Sequence, residues 1–110
     1  MIDCLVDGEL NDRVSAADRG FHYGDGLYET LAVFDGQPRF WQGHIDRLTA
    51  GCERLGLPMP PQAVLLREVQ TVSAGRNRAM VKIILSRGAS GMGFQPNDVA
   101  AATRVVASFP

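Results

Sequence analysis

Arg47, in the run His44-Ile45-Asp46-Arg47-Leu48, is the residue with the most direct chemistry available to it. A guanidinium presents a planar fork of donors that grips a phosphate or carboxylate through two hydrogen bonds. The alternative is a solvated helix arginine paired with Asp46 or Glu53. Phe21, Tyr23 and Tyr28 stand among Gly20, Gly24 and Gly26, where a close-running backbone would let aromatic rings line a pocket. On spacing alone they read equally as core or hairpin aromatics. Lys82, the only lysine, sits in an apolar run where an ammonium is costly without a partner. Three roles stay open for it: meeting a ligand carboxylate, forming a Schiff base, or reaching solvent from an edge strand. Asp25 and Glu29 could form a carboxylate pair, or each could be structural. His22 and His44 have no ligand-spaced carboxylate or cysteine, which argues against a metal site, and His44 reads as packing a helix start.

These groups need elements to hold them. Ile2–Val6 and Glu9–Val14 read as strands joined by Asp7-Gly8, because glycine tolerates the positive φ of a hairpin turn. Ser15–Asp18 reads as a turn or as one helical turn with Ser15 as its N-cap. Arg19 to Gly26 reads as a glycine-rich loop with unusual backbone angles. It lacks the third glycine of a dinucleotide fingerprint and precedes a strand, so a Rossmann site is excluded. Leu27–Phe34 is a strand with Leu27, Glu29, Leu31 and Val33 on one face and Tyr28, Thr30, Ala32 and Phe34 on the other. Asp35-Gly36 turns it into Gln37–Phe40.

From Trp41 to Leu55 the period becomes helical, with Ile45, Leu48, Cys52 and Leu55 as the apolar stripe and Gly56 and Pro58 as the stop. Arg47 and Arg54 lie on a neighbouring face. A second helix follows Pro60-Pro61 to about Ala74, burying Val64, Leu65, Val69 and Val72. Ala79–Ser86 is a near-continuous apolar run, hence a central strand. Arg87–Phe94 is a second glycine-rich loop, and Thr103–Ser108 is the last strand. Hairpin-joined strands with two consecutive helices predict an α+β fold: an antiparallel or mixed sheet with both helices on one side.

The chain of 110 residues is sized for one domain. A formal net charge of −1 gives nucleic acid or an anionic membrane no electrostatic reason to bind. No apolar run reaches the length of a membrane span, and no export signal is legible at the N-terminus, which predicts a cytoplasmic protein. Cys4 and Cys52 match no metal-ligand spacing and are expected as reduced thiols.

In order along the chain, V-D-G-E at 6–9, D-R-G-F-H-Y-G-D-G-L-Y-E-T at 18–30, H-I-D-R-L at 44–48, C-E-R-L-G-L-P at 52–58 and K-I-I-L-S-R-G at 82–88 resemble the N-terminal half of fold-type IV pyridoxal-phosphate enzymes. That family comprises branched-chain and D-amino-acid aminotransferases and aminodeoxychorismate lyases. The resemblance implies pyridoxal 5'-phosphate as cofactor, with Arg47 holding its phosphate. It implies Tyr28 and Tyr23 on the substrate side of the pocket, and Lys82 and Met92 as further substrate-side residues. It also implies that the Schiff-base lysine lies beyond residue 110, in a C-terminal domain of the same protein, so that this chain supplies no catalytic residue. A homodimer is implied as well.

R-L-G-L-P at 54–58 and T-R-V-V at 103–106 are most similar to the lyase group, which releases 4-aminobenzoate and pyruvate on the route to folate. Gly91-Met92-Gly93-Phe94 departs from that group and is similar to the branched-chain aminotransferases. The alternatives are therefore an aminotransferase of D- or branched-chain amino acids, and a stand-alone domain without catalysis.

Overall fold

A computed structural model of the chain describes residues 3–89 and 102–109. Its elements are β1 (Cys4–Val6), β2 (Glu9–Leu10), α1 (Arg19–Tyr23), β3 (Gly26–Phe34), β4 (Gln37–Pro38), α2 (Trp41–Leu55), α3 (Gln62–Val72), β5 (Arg78–Ser86) and β6 (Thr103–Phe109). The six strands form one sheet in the order β2-β1-β6-β5-β3-β4, and every adjacent pair is antiparallel.

Strand alternation divides the sheet into two unlike faces. Leu31 and Val33 of β3, Val81, Ile83 and Leu85 of β5, Val106 of β6 and Leu5 of β1 are buried in one core with Ile45, Leu48 and Cys52 of α2 and Leu65, Val69 and Val72 of α3. Both helices thus cover the same face, which is the α+β layering predicted. The opposite face leaves Tyr28, Phe34, Met80 and Phe109 exposed. β5 lies between β3 and β6, so its near-continuous apolar run, interrupted by Lys82, matches an interior position.

Three sequence expectations are corrected. The second strand stops at Leu10 rather than Val14: β2 is an edge strand pairing only through Leu5↔Leu10 and Val6↔Glu9, and after the Asn11 N–H donates to the Cys4 carbonyl at 3.2 Å the chain leaves the sheet exposed. Ser15 starts no helix. Its hydroxyl accepts the Ala17 N–H, and the helix begins only after Asp18, whose carboxylate accepts the Gly20 N–H at 2.8 Å. The glycine-rich loop is therefore partly the short helix α1, closed by Gly24 in the left-handed region at φ 65°.

Both cysteines are free, buried thiols, and burial pushes the pKa of each above its ordinary value. Among the described residues no helix is long and apolar enough to cross a membrane.

Candidate functional site

The candidate site is built around β3. β4 pairs only with Val33 and Phe34, so the strand from Leu27 to Leu31 has a free edge among the described residues. α2 lies close beside that stretch because Gly51 has no side chain: a Cβ there would stand 2.8 and 2.9 Å from the two Leu27 methyl carbons. Arg47, one turn earlier on α2, is thereby brought to Glu29.

The pairing is two-pronged. Arg47 donates Nε to Glu29 Oε2 at 2.9 Å and Nη2 to Oε1 at 2.7 Å. His44 Nδ1 lies 2.6 Å from the same Oε1. Glu29 is 6% exposed whereas Arg47 is 72% exposed, so a buried carboxylate holds one edge of a guanidinium whose other edge faces solvent. Burial alone would raise the Glu29 pKa. Hydrogen bonds from Arg47 and His44, with their charges, outweigh it and hold the carboxyl below its ordinary value. The same bonds push Arg47 above its ordinary value. An ionised Glu29 only accepts, so the proton between it and His44 belongs to Nδ1.

These contacts revise four readings. Arg47 pairs with neither neighbour proposed for it: Asp46 accepts from Gln42 instead, at 2.8 Å. Asp25 and Glu29 form no carboxylate pair, because each is claimed by separate cations. His44 does more than pack a helix start. Glu29, read as half of a carboxylate pair or as structural, is instead the centre of the cluster.

Two clefts flank the strand and share Leu27 and Tyr28. One, of about 480 Å³, is lined by Leu27, Tyr28, Glu29, Thr30, Arg47 and Leu48. The other, of about 440 Å³, lies on the open face and includes Phe21, Leu27, Tyr28, Ile84 and Val105. Tyr28↔Ile84 and Ile84↔Val105 are register partners, so three strands contribute one apolar row. Lys82 Nζ sits 4.5 Å from the Tyr28 ring centroid, a cation–π contact. Because β5 is interior, Lys82 does not reach solvent from an edge strand; it extends over the open face beside Tyr28.

Tyr23 is set apart. Its ring faces the Arg19 guanidinium at 4.7 Å and lines neither cleft, while Phe21 lines the open-face one. Met92, with the rest of Gly91–Phe94, lies outside the described residues.

A second ionic cluster, not expected from the sequence, braces this arrangement. Asp25 Oδ2 accepts from Arg19 Nε at 2.8 Å and from Arg87 Nε at 3.0 Å, and all three side chains are largely buried. Arg87 also donates Nη2 to the Leu55 carbonyl at 2.7 Å, at the C-terminus of α2, where positive charge is favoured. Asp18 adds a third tie, accepting from Ser86 and Thr103 hydroxyls at 2.7 and 2.8 Å. Together these bonds join α1, the start of β3, the ends of β5 and β6, and α2. A sequence cue existed for Asp25, in its place between two glycines, but its partners lie 6 and 62 residues away.

Asp25 behaves electrostatically as Glu29 does: burial raises its pKa, and hydrogen bonds from Arg19 and Arg87 more than offset that, leaving it below its ordinary value. Carboxyls with depressed folded-state pKa values contribute stability above their unfolded pKa of about 4, and lose it as pH falls through the lower folded values. The urea midpoint is expected to hold from pH 7 to about 5 and to fall below about 4. A midpoint that rises on acidification below that point contradicts both pairings.

The family model described as Amino-transferase class IV matches residues 26–110. The aminodeoxychorismate lyase of Vibrio harveyi is 32% identical over 104 residues, covering 94% of this chain and 38% of the lyase. A D-alanine aminotransferase of Listeria monocytogenes is 36% identical over 69 residues, covering 59% of this chain and 24% of the relative. Among solved structures, 4-amino-4-deoxychorismate lyase from Pseudomonas aeruginosa superposes with a TM-score of 0.85 at 38% identity, over 97% of this chain and 39% of that one. The chain thus spans about two fifths of the length of the lyases it matches. A shared family model over most of its residues and a shared fold over nearly all of them give one conclusion: the chain belongs to the class IV amino-transferase family.

Proposed function

We propose that this chain is the N-terminal domain of a pyridoxal-phosphate-dependent 4-amino-4-deoxychorismate lyase, and that Arg47 anchors the cofactor phosphate. The observation that carries this reading is the guanidinium held on one edge by Glu29 and open on the other, at the mouth of a cleft that meets an aromatic-lined cleft at Tyr28. Similarity to two lyases over nearly the whole chain supports the substrate class. These residues fit the cofactor: an exposed fork of donors suits a phosphate, and apolar walls beside it suit an aromatic ring.

When bound, the cofactor supplies the electron sink that this elimination needs. The chain's own residues bind and orient. Arg47 fixes the phosphate end, Tyr28 forms the wall between the clefts, and Lys82 places a positive charge over the open face for a substrate carboxylate. Tyr28 also keeps the Lys82 ammonium near that face by cation–π attraction. Tyr23 acts at one remove, through Arg19, and Met92 completes the substrate side. The lysine that holds the cofactor covalently is assigned to sequence beyond residue 110, in a C-terminal domain. With it go a homodimer, a cytoplasmic location and a place in folate biosynthesis.

Arg47→Ala is expected to weaken pyridoxal-phosphate binding about a hundredfold, since a bidentate charged contact is lost. Equilibrium titration of the cofactor checks this; unchanged affinity removes Arg47 from the site. The reaction itself is tested with 4-amino-4-deoxychorismate and no amino acceptor. Release of 4-aminobenzoate and pyruvate in equal amounts supports the lyase. Amino transfer that requires a 2-oxoacid supports the aminotransferase, a reading favoured by similarity to the D-alanine aminotransferase. Absence of both reactions would point to a non-catalytic domain.

A further inference from the structure

We propose that Glu29 and His44 are positioning residues for anion capture: His44 seats Glu29, and Glu29 aims Arg47. This rests on the reading of Arg47 as the phosphate anchor and extends it to two residues that touch no ligand. The three groups form one chain of contacts: His44 Nδ1 to Glu29 Oε1 at 2.6 Å, then Arg47 Nη2 to that same Oε1 at 2.7 Å and Nε to Oε2 at 2.9 Å. His44 and Glu29 are largely buried, and only the last member, Arg47, stands in solvent.

An exposed arginine on a helix has several rotatable bonds, and ordering them opposes ligand binding. Glu29 removes that cost in advance. By taking Nε and one hydrogen of Nη2, it leaves Nη1 and the outer hydrogen of Nη2 as the pair directed outward. That pair is the edge that grips a phosphate in two-pronged fashion. Helix and strand alone do not impose this orientation, because the close approach of Gly51 to Leu27 lies a turn further along α2.

The carboxylate has an opposing effect, since its negative charge also repels a phosphate. The two effects predict opposite outcomes for Glu29→Gln. An amide keeps the shape but has one acceptor oxygen and a donor group that conflicts with the guanidinium, so aim is lost and repulsion is relieved. At physiological ionic strength, screening at so exposed a cation makes the relieved repulsion the smaller change.

The test is titration of the natural protein with pyridoxal phosphate and, separately, with pyridoxal, which lacks the phosphate. Glu29→Gln is expected to weaken pyridoxal-phosphate binding about tenfold, to leave pyridoxal binding unchanged, and to add nothing in an Arg47→Ala background. His44→Ala is expected to weaken it in the same sense. His44→Asn is expected to restore it, because an asparagine amide can donate from near the Nδ1 position. Unchanged or tighter binding in Glu29→Gln overturns the proposal while leaving Arg47 as anchor. Equal losses with both ligands, or in both backgrounds, assign Glu29 to general stability and overturn it too. If Arg47→Ala itself has no effect, the anchor reading fails first and the positioning role falls with it.

Discussion

Replacing Asp25 with alanine is expected to cost about 3 kcal/mol or more of folding free energy, the typical loss when one partner is removed from a buried ion pair. Asp25 Oδ2 is the acceptor for both Arg19 Nε and Arg87 Nε, and the arginine side chains are only 4% and 9% exposed. Without it, among the described residues, the two buried guanidinium groups keep the Leu55 carbonyl, which accepts from Arg87, and the Tyr23 ring beside Arg19, but no carboxylate. Among the described residues Arg19 Nη1 already lacks a hydrogen-bond partner, so loss of Asp25 adds to an existing deficit. For comparison, Asp46→Ala removes an exposed carboxylate bonded to Gln42 and is expected to change stability by under about 0.5 kcal/mol. Urea unfolding of the two variants, at unchanged m-value, makes the comparison. A loss below about 1 kcal/mol for Asp25→Ala would mean that water or rearrangement satisfies both arginines, and that the brace is not structural.

Gly26→Ala is the second large effect, and its cause is steric. A Cβ at Gly26 would collide with the Leu85 carbonyl oxygen and stand 2.9 Å from Ser86 Cα. Those atoms belong to β5, which is paired on both sides and cannot move away without breaking its ladder with β6. A loss of about 3 kcal/mol is expected, at the upper end for overpacking because backbone rather than a side-chain tip must yield.

Gly24, two residues earlier, separates this cause from backbone conformation. It has φ +65°, and a methyl group placed on its Cα would meet nothing within 4 Å, so Gly24→Ala incurs only the left-handed penalty of about 1 kcal/mol. Thermal unfolding of both variants should therefore rank Gly26→Ala well below Gly24→Ala. The reverse order would show that conformational freedom, not close approach, is what the first glycine-rich stretch requires.

Much of the fold was legible from local pattern. The stripe Ile45, Leu48, Cys52 located α2, and Gly56 marked its end, because a helix repeats its buried face every three to four residues. The buried set of β3 followed from simple alternation, and the near-continuous apolar run of β5 marked an interior strand. These are properties of neighbouring residues, so a chain read in order contains them. Elements too short to repeat escaped. α1 has five residues, less than two turns, and its aspartate cap and glycine stop read as a loop.

The site divides along the same line. Arg47, Tyr28 and Lys82 were recognisable by residue type and by motif resemblance, and the structure places Tyr28 beside Lys82 and on the same cleft as Arg47. What tertiary structure alone decided is which charges meet. Glu29 and Arg47 are 18 residues apart, Asp25 and Arg87 62, and Asp18 and Thr103 85. No periodicity connects such positions; sheet register and helix docking do. Glu29 looks from sequence like a polar interruption on the core face of a strand, and burying it there without partners would be prohibitive. Only the approach of α2 over Gly51, which delivers Arg47 and His44 to that carboxylate, turns the costly residue into the centre of the site.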